Sequence, residues 1–161
     1  MSQKLKDDLV SSEARAAALG SHASATADDI AAFDDRIQRT LGAALEKKAL
    51  DLTVLDLRGI ASFTDFFVIT TGTNRRQCQA ISDEVVEQLK RSGTRAARVE
   101  GFQTAEWILI DYGDFVVHVF DEKARRFYDL ERLWREARRL DISPQQLGSE
   151  ALSLKSENLD L

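Results

Sequence analysis

The chain has 161 residues, 43% hydrophobic and 30% charged, which is room for one domain with a core and too little for two ordinary ones. Its formal charge of −5 sits in the ends: residues 1–33 hold 3 basic and 5 acidic groups, residues 141–161 hold 1 and 4, and residues 34–140 balance at 18 against 18. Proteins that grip RNA through its phosphates gain affinity from a basic surplus, so the balanced middle predicts contacts to protein and little direct RNA contact.

No apolar run approaches the roughly 20 residues of a spanning helix, so no membrane contact is expected. Cys78 is the only cysteine, which excludes an intramolecular disulfide and leaves a structural metal site hard to build. Asp7, Asp8 and Glu13 near the start, with no apolar stretch beside them, argue against a signal or transit peptide. The expectation is a soluble, cytoplasmic protein with no cofactor and no metal.

Residues 1–25 are rich in Ala and Ser, with one possible helical stretch from Lys4 to Leu19, and are expected to form a mobile extension. Thr26 and Asp29 have the spacing of a capping box, and Ile30, Phe33, Ile37, Leu41 and Leu45 then recur at three and four residues, the period of one helical face. Thr53–Leu57 and Phe66–Thr71 are short β-branched and apolar runs that predict two strands. Asn74 is a good N-cap for a helix with Cys78, Ile81, Val85 and Leu89 on its apolar stripe, ending near Ser92 and Gly93. Arg95–Gly101 reads as a weaker strand, Glu106–Tyr112 and Asp114–Asp121 as two strong ones. A last helix is expected from about Asp129, burying Leu130, Leu133, Trp134 and Ala137, with Arg135, Arg138 and Arg139 near the negative end of its dipole. This order predicts an α/β fold with a mixed five-stranded sheet packed with helices. The domain is expected over 26–141, with a flexible tail over 142–161.

The last two strands carry most of the functional information. With Tyr112 and Gly113 as a two-residue loop, 111 pairs with 114, 109 with 116 and 107 with 118. One face then holds Ile108, Ile110, Phe115, Val117 and Val119, a plain core face. The other holds Trp107, Leu109, Asp111, Asp114, Val116 and His118, with two carboxylates opposed. Two readings stand: a docking surface with Trp107 as its apolar anchor, or a face covered by a second helix layer in which Trp107 and His118 are ordinary core. On the first reading Trp107→Ala leaves the fold intact and weakens partner binding.

Other constellations point to weaker chemistry. The run Thr70, Thr71, Gly72, Thr73, Asn74, Arg75, Arg76 leads from a strand to a helix N-terminus, where free N–H groups can hold a phosphate or simply be capped. Nucleotidyl transfer on such a turn needs two carboxylates two residues apart on a strand to hold its metal ions, and no expected strand offers Asp-x-Asp. General-base work by His118 with Asp111 or Asp114 lacks an adjacent nucleophile, and Cys78 reads as buried packing. No catalytic residue is assigned.

Six segments, taken in order, resemble one family. Lys48–Asp56 (KALDLTVLD), Thr64–Asn74 (TDFFVITTGTN), Val99–Gly101 (VEG), Glu106–Asp114 (EWILIDYGD), His118–Phe120 (HVF) and Arg125–Trp134 (RRFYDLERLW) are similar to the Iojap, or ribosomal silencing factor (RsfS), pattern across residues 34–140. The resemblance implies a nucleotidyltransferase-like fold without the catalytic carboxylates. It also implies a homodimer when free, and a non-enzymatic protein that binds the fourteenth protein of the large ribosomal subunit. That binding would block subunit association and repress translation under nutrient limitation. The family's contact surface, carried over by position, falls on Trp107, Ile108, Asp111, Tyr112 and Asp114, with Tyr128 and Glu131 beside them. Two rival readings remain: a large-subunit assembly factor, and a nucleotidyltransferase-type enzyme.

Overall fold

The computed structural model describes Lys6 and residues 20–147. The helix expected over 4–19, apart from Lys6, and the tail beyond residue 147 lie outside the described residues. Seven strands form one mixed sheet: β1 (His22–Ser24), β2 (Leu50–Asp56), β3 (Phe66–Gly72), β4 (Arg98–Glu100), β5 (Trp107–Asp111), β6 (Phe115–Asp121) and β7 (Arg138–Ile142), in the order β1-β7-β2-β3-β6-β5-β4. The β3–β6 and β1–β7 pairs are parallel and the others antiparallel. The α/β class with a mixed sheet is as expected, with two strands more than the five anticipated.

Both extra strands lie where the sequence reading placed something else. Leu130, Leu133, Trp134 and Ala137 have helical spacing, yet only Leu130–Leu133 turns as a helix, α5, after α4 (Glu122–Tyr128) and a left-handed Asp129 at φ +45°. Trp134 and Ala137 are buried in the irregular segment between α5 and β7, and Arg138–Ile142 runs antiparallel to β2, with Leu140 opposite Val54. Leu140 and Ile142 are buried while Arg139 and Asp141 are half-buried, the two-residue period of a strand. Residues 22–24, expected in the mobile extension, add β1 to the other edge of β7, and Ala25 is buried beside them. Ile142 and Leu147 are buried too, so the packed body extends past the expected boundary at 141.

The first helical stripe is cut in two. Thr26 and Asp29 do form the capping box of a one-turn helix, α1 (Ala27–Ala31), but Asp34 then accepts from the Arg36 N–H and starts a second helix, α2 (Asp35–Glu46). Ile30, Ile37 and Leu41 all reach the core regardless. Asn74 caps α3 (Arg75–Arg91) as expected, its side chain accepting from the Gln77 N–H at 2.8 Å, and Cys78, Ile81, Val85 and Leu89 are its buried stripe.

The sheet is covered on both faces. One face packs Val54, Val68, Ile108, Ile110, Val117 and Val119 against α2 and α3. The other packs Leu55, Phe67, Ile69, Trp107, Leu109 and Phe120 under Leu130 and Trp134, with Ile60 and Tyr128 closing its margin. Gly72 ends β3 where the backbone must pass close to α3: a Cβ there would lie 2.7 Å from Cys78 Sγ and 3.0 Å from the Cys78 nitrogen. Overpacking of that kind is destabilising, so Gly72→Ala is expected to cost about 1–3 kcal/mol of stability, read as a lower urea midpoint at an unchanged slope.

Candidate functional site

The hairpin of β5 and β6 pairs 111 with 116, 109 with 118 and 107 with 120. Its two-residue loop is therefore Gly113–Asp114 rather than Tyr112–Gly113, and the Tyr112 N–H donates to the Phe115 carbonyl at 3.0 Å. Gly113 takes φ +86°, a conformation that favours glycine. The expected register is off by two residues, one full side-chain period, so the strand residues keep their faces while every cross-strand partner changes and Asp114 passes into the loop. Asp111 and Asp114 consequently do not oppose each other. Asp111 Oδ1 accepts from the Gly113 N–H at 2.8 Å and stays half-buried, and Asp114 is exposed at the tip.

Asp114 has a partner that no local pattern signals. Arg36, at the start of α2, forms a two-pronged ion pair with Asp114 and also donates to Asp34 at 3.0 Å. Its guanidinium lies 5.2 Å from the Phe115 ring centroid. Hydrogen bonds to the two carboxylates raise the Arg36 pKa above its ordinary value, and the hydrogen bond from Arg36 holds the Asp34 carboxyl below its own. Asp111 lies 3.7 Å from Arg98. The tip is thus a row of carboxylates, most of them already bridged by arginines.

Trp107 occupies the opposite end of β5. It is 3% exposed, its ring lies 4.5 Å from Tyr128 and 5.0 Å from Phe120, and its Nε1–H donates to His118 Nδ1 at 3.0 Å. The Lys6 ammonium caps the ring 5.1 Å from its centroid and donates to the Trp107 carbonyl. This settles the choice between the two readings of the face: a helix layer covers it, and the expectation of Trp107 as an exposed anchor is corrected. Ile108 is fully buried against the other layer, and Tyr112 is 8% exposed, stacked on Phe115 at 4.8 Å. Burial pushes the Tyr112 hydroxyl up to about 12. Glu131 is held by Arg125 at 2.6 Å, both side chains nearly covered, and Arg125 also donates to Thr71 and Thr53. The seven candidate residues do not form one site. Asp111, Tyr112 and Asp114 meet at the hairpin tip, Trp107 and Tyr128 touch at the other end of β5, Glu131 on α5 is held by Arg125, and Ile108 lies in the core.

The other chemistry weighed in the sequence dissolves in the same detail. At the Gly72 turn the Thr73 N–H and hydroxyl donate to Gln77 Oε1 at 2.6 and 2.8 Å, and the Gln77 amide donates to the Lys47 and Lys48 carbonyls. The Thr73 and Gln77 N–H groups, two of the donors a phosphate could use, are spent on capping. His118 is wholly buried and bonded to Trp107 instead of to a carboxylate. Accepting at Nδ1 places its proton on Nε2 in the neutral ring.

This arrangement has two measurable consequences. Trp107→Ala would open a large cavity and leave His118 Nδ1 without its donor, so it is expected to cost about 3–5 kcal/mol of folding stability, read by denaturation. His118 is pushed down to about 3, first by burial and then by the charges of Lys6 and Arg125, from an ordinary 6.5. Between those values the unfolded chain takes up a proton that the fold refuses. The stabilisation is therefore full above pH 6.5 and fades toward pH 3, at about 1.4 kcal/mol per pH unit. His118→Gln, whose carboxamide oxygen can still accept from Trp107, should abolish the loss of about 2 kcal/mol between pH 7 and pH 5. An unchanged pH dependence in that variant would refute the assignment.

Known proteins place this arrangement. The family model described as "Ribosomal silencing factor during starvation" matches residues 30–158. The ribosomal silencing factor RsfS of Bacillus subtilis (strain 168) is 41% identical over 97 residues, covering 60% of this chain and 82% of its own. A crystal structure of a Chromobacterium violaceum protein superposes with a TM-score of 0.61 at 33% identity, over 62% of this chain and 83% of its own. A mouse protein named for mitochondrial assembly of the ribosomal large subunit is 30% identical over 129 residues, covering 78% of this chain and 56% of its own. The match in sequence spans the hairpin, both core layers and β7 alike, and the chain belongs to the ribosomal silencing factor family.

Proposed function

We propose that this protein is a cytoplasmic, non-enzymatic silencing factor that occupies the fourteenth protein of the large ribosomal subunit, sterically blocks subunit association and so represses translation when nutrients are limiting. The observation that carries the docking site is the hairpin tip. Asp114 stands exposed at a turn fixed by Gly113, while Tyr112 and Phe115 stack beneath it and Arg36 holds its carboxylate. A carboxylate accepts several hydrogen bonds, so an arginine or lysine of a basic ribosomal protein can join Asp114, Asp111 and Asp34 alongside Arg36. Trp107 and Ile108 serve the site from below by fixing both faces of β5. Tyr128 and Glu131 complete the carried-over surface through α4 and its buried ion pair with Arg125.

Silencing then requires only occupancy. The bound domain must hold its place with more free energy than subunit joining gains there, and no bond is made or broken. A homodimer is the proposed state of the free protein. The name of the mouse relative favours a second reading, in which the protein attends large-subunit maturation. A subunit-joining assay separates the two: a silencing factor added to mature subunits lowers the fraction of whole ribosomes, and an assembly factor does not. Within that assay Asp114→Arg is expected to fold normally, since its side chain is exposed. It should slow association with the large subunit about tenfold or more at low salt, with the defect shrinking as salt rises. Wild-type binding kinetics for that variant would remove the tip from the interface.

A further inference from the structure

The end of the domain opposite the acidic tip carries a surface of different chemistry. Phe127 on α4 is 78% exposed, the most exposed large hydrophobic side chain among the described residues. Its ring meets Tyr128 edge to face, with centroids 5.0 Å apart at 87°, which leaves a flat side of the ring free. Beside it lies a hollow of about 380 Å³ lined by Tyr128, which the docking reading also uses, and by Arg126, Arg132, Arg135, Leu133 and Asp129. Arg126, Arg132 and Arg135 are exposed, and none of the three has an ion-pair partner among the described residues. Three cations against one carboxylate give a local surplus that the balanced charge of residues 34–140 conceals.

Resting on the docking reading of the acidic tip, we propose that this hollow takes an unpaired nucleotide of RNA, the base stacked on Phe127 and the flanking phosphates held by Arg126, Arg132 and Arg135. The chemistry selects that occupant. An exposed aromatic ring stacks on any base through its π face, and guanidinium forks match phosphate oxygens in pairs. A second copy of the chain fits poorly, because a two-fold interface would set these arginines against their own images. On a large ribosomal subunit the ligand would be ribosomal RNA next to the protein that receives the tip. The four steps from Trp107 to Asp111 on β5 span roughly 14 Å, so the two contacts lie at different ends of the strand, and together they fix the orientation of the domain as neither does alone.

The test uses the full chain and a fluorescently labelled, short single-stranded oligoribonucleotide of mixed sequence. Anisotropy should show binding whose logarithm falls with log salt at a slope of about −2, the value for three phosphate contacts to a single strand. Phe127→Ala should weaken it about tenfold at unchanged slope, and the Arg132→Ala, Arg135→Ala double variant should flatten the slope by about 1.4. No binding, wild-type affinity for Phe127→Ala, or equal binding of polyglutamate would overturn the proposal, the last by assigning the hollow to an acidic protein. The same variants on purified large subunits tell the two ideas apart. Subunit binding lost in Asp114→Arg but intact in Phe127→Ala sinks the RNA contact and spares the docking reading. Failure of the wild-type chain to bind subunits, with its oligoribonucleotide binding intact, sinks the docking reading and spares the hollow.

Discussion

A sheet whose central strands are apolar on both sides has to be covered twice, and that requirement governs where this protein can touch anything else. Phe67 and Ile69 of β3 face one layer while Val68 faces the other. Trp107 and Leu109 alternate with Ile108 and Ile110 in the same way on β5. Each side chain buried this way adds about 1.5–3 kcal/mol to the fold, and none of it is available to a partner. The ends of strands and the helices laid over them are left for recognition. The scattering of the carried-over residues between the hairpin tip and the opposite end of the strands is a consequence of that geometry. It also explains why a tryptophan that looks like an interface anchor in the sequence is a structural one here.

The tip shows how an acidic contact can be kept in shape before a partner arrives. Arg36 bridges Asp34 and Asp114 from a helix start that lies next to the turn, and stacks on Phe115 as it does so. An exposed ion pair contributes little to stability. Holding a carboxylate at a loop tip does, however, remove part of the side-chain ordering that binding would otherwise cost. The arrangement also sets the electrostatic character of the site: Asp34, Arg36 and Asp114 together remain anionic, so a basic protein is still attracted while the carboxylates do not repel one another apart.

Much of this was legible in the sequence, and the parts that were not have physical reasons. The caps at Thr26 and Asn74 and the stripe from Cys78 to Leu89 were readable because they are local. The hairpin faces were readable because they depend only on a period of two. The register was not, since a two-residue loop can be drawn at 112–113 or 113–114 with Gly113 in either, and the slip between them leaves each face unchanged. Strand β7 was hidden because Leu130, Leu133, Trp134 and Ala137 repeat at helical spacing while belonging to one turn of helix and an irregular crossing. Strand β1 has three exposed residues, too few to show an alternation. Arg36 stands 78 positions from Asp114, and nothing in either neighbourhood marks the pair. The exposure of Phe127 was equally invisible, because RRFYDLERLW reads the same whether its phenylalanine points in or out.

A sum of charge over a segment says nothing of where the charges stand. Eighteen basic and eighteen acidic groups over residues 34–140 suggested a neutral body with little to offer RNA. In the fold, carboxylates gather at the end of the sheet that carries Asp34, Asp111 and Asp114, and unpaired arginines gather around α4 and α5 at the other. At physiological salt the fields of the two ends are screened over roughly 8 Å, so a partner meeting one end barely senses the other. A domain polarised on that scale can face a basic protein with one end and an anionic polymer with the other. A ribosomal surface, where proteins and RNA alternate over short distances, is the kind of target on which such a division fixes orientation as well as affinity.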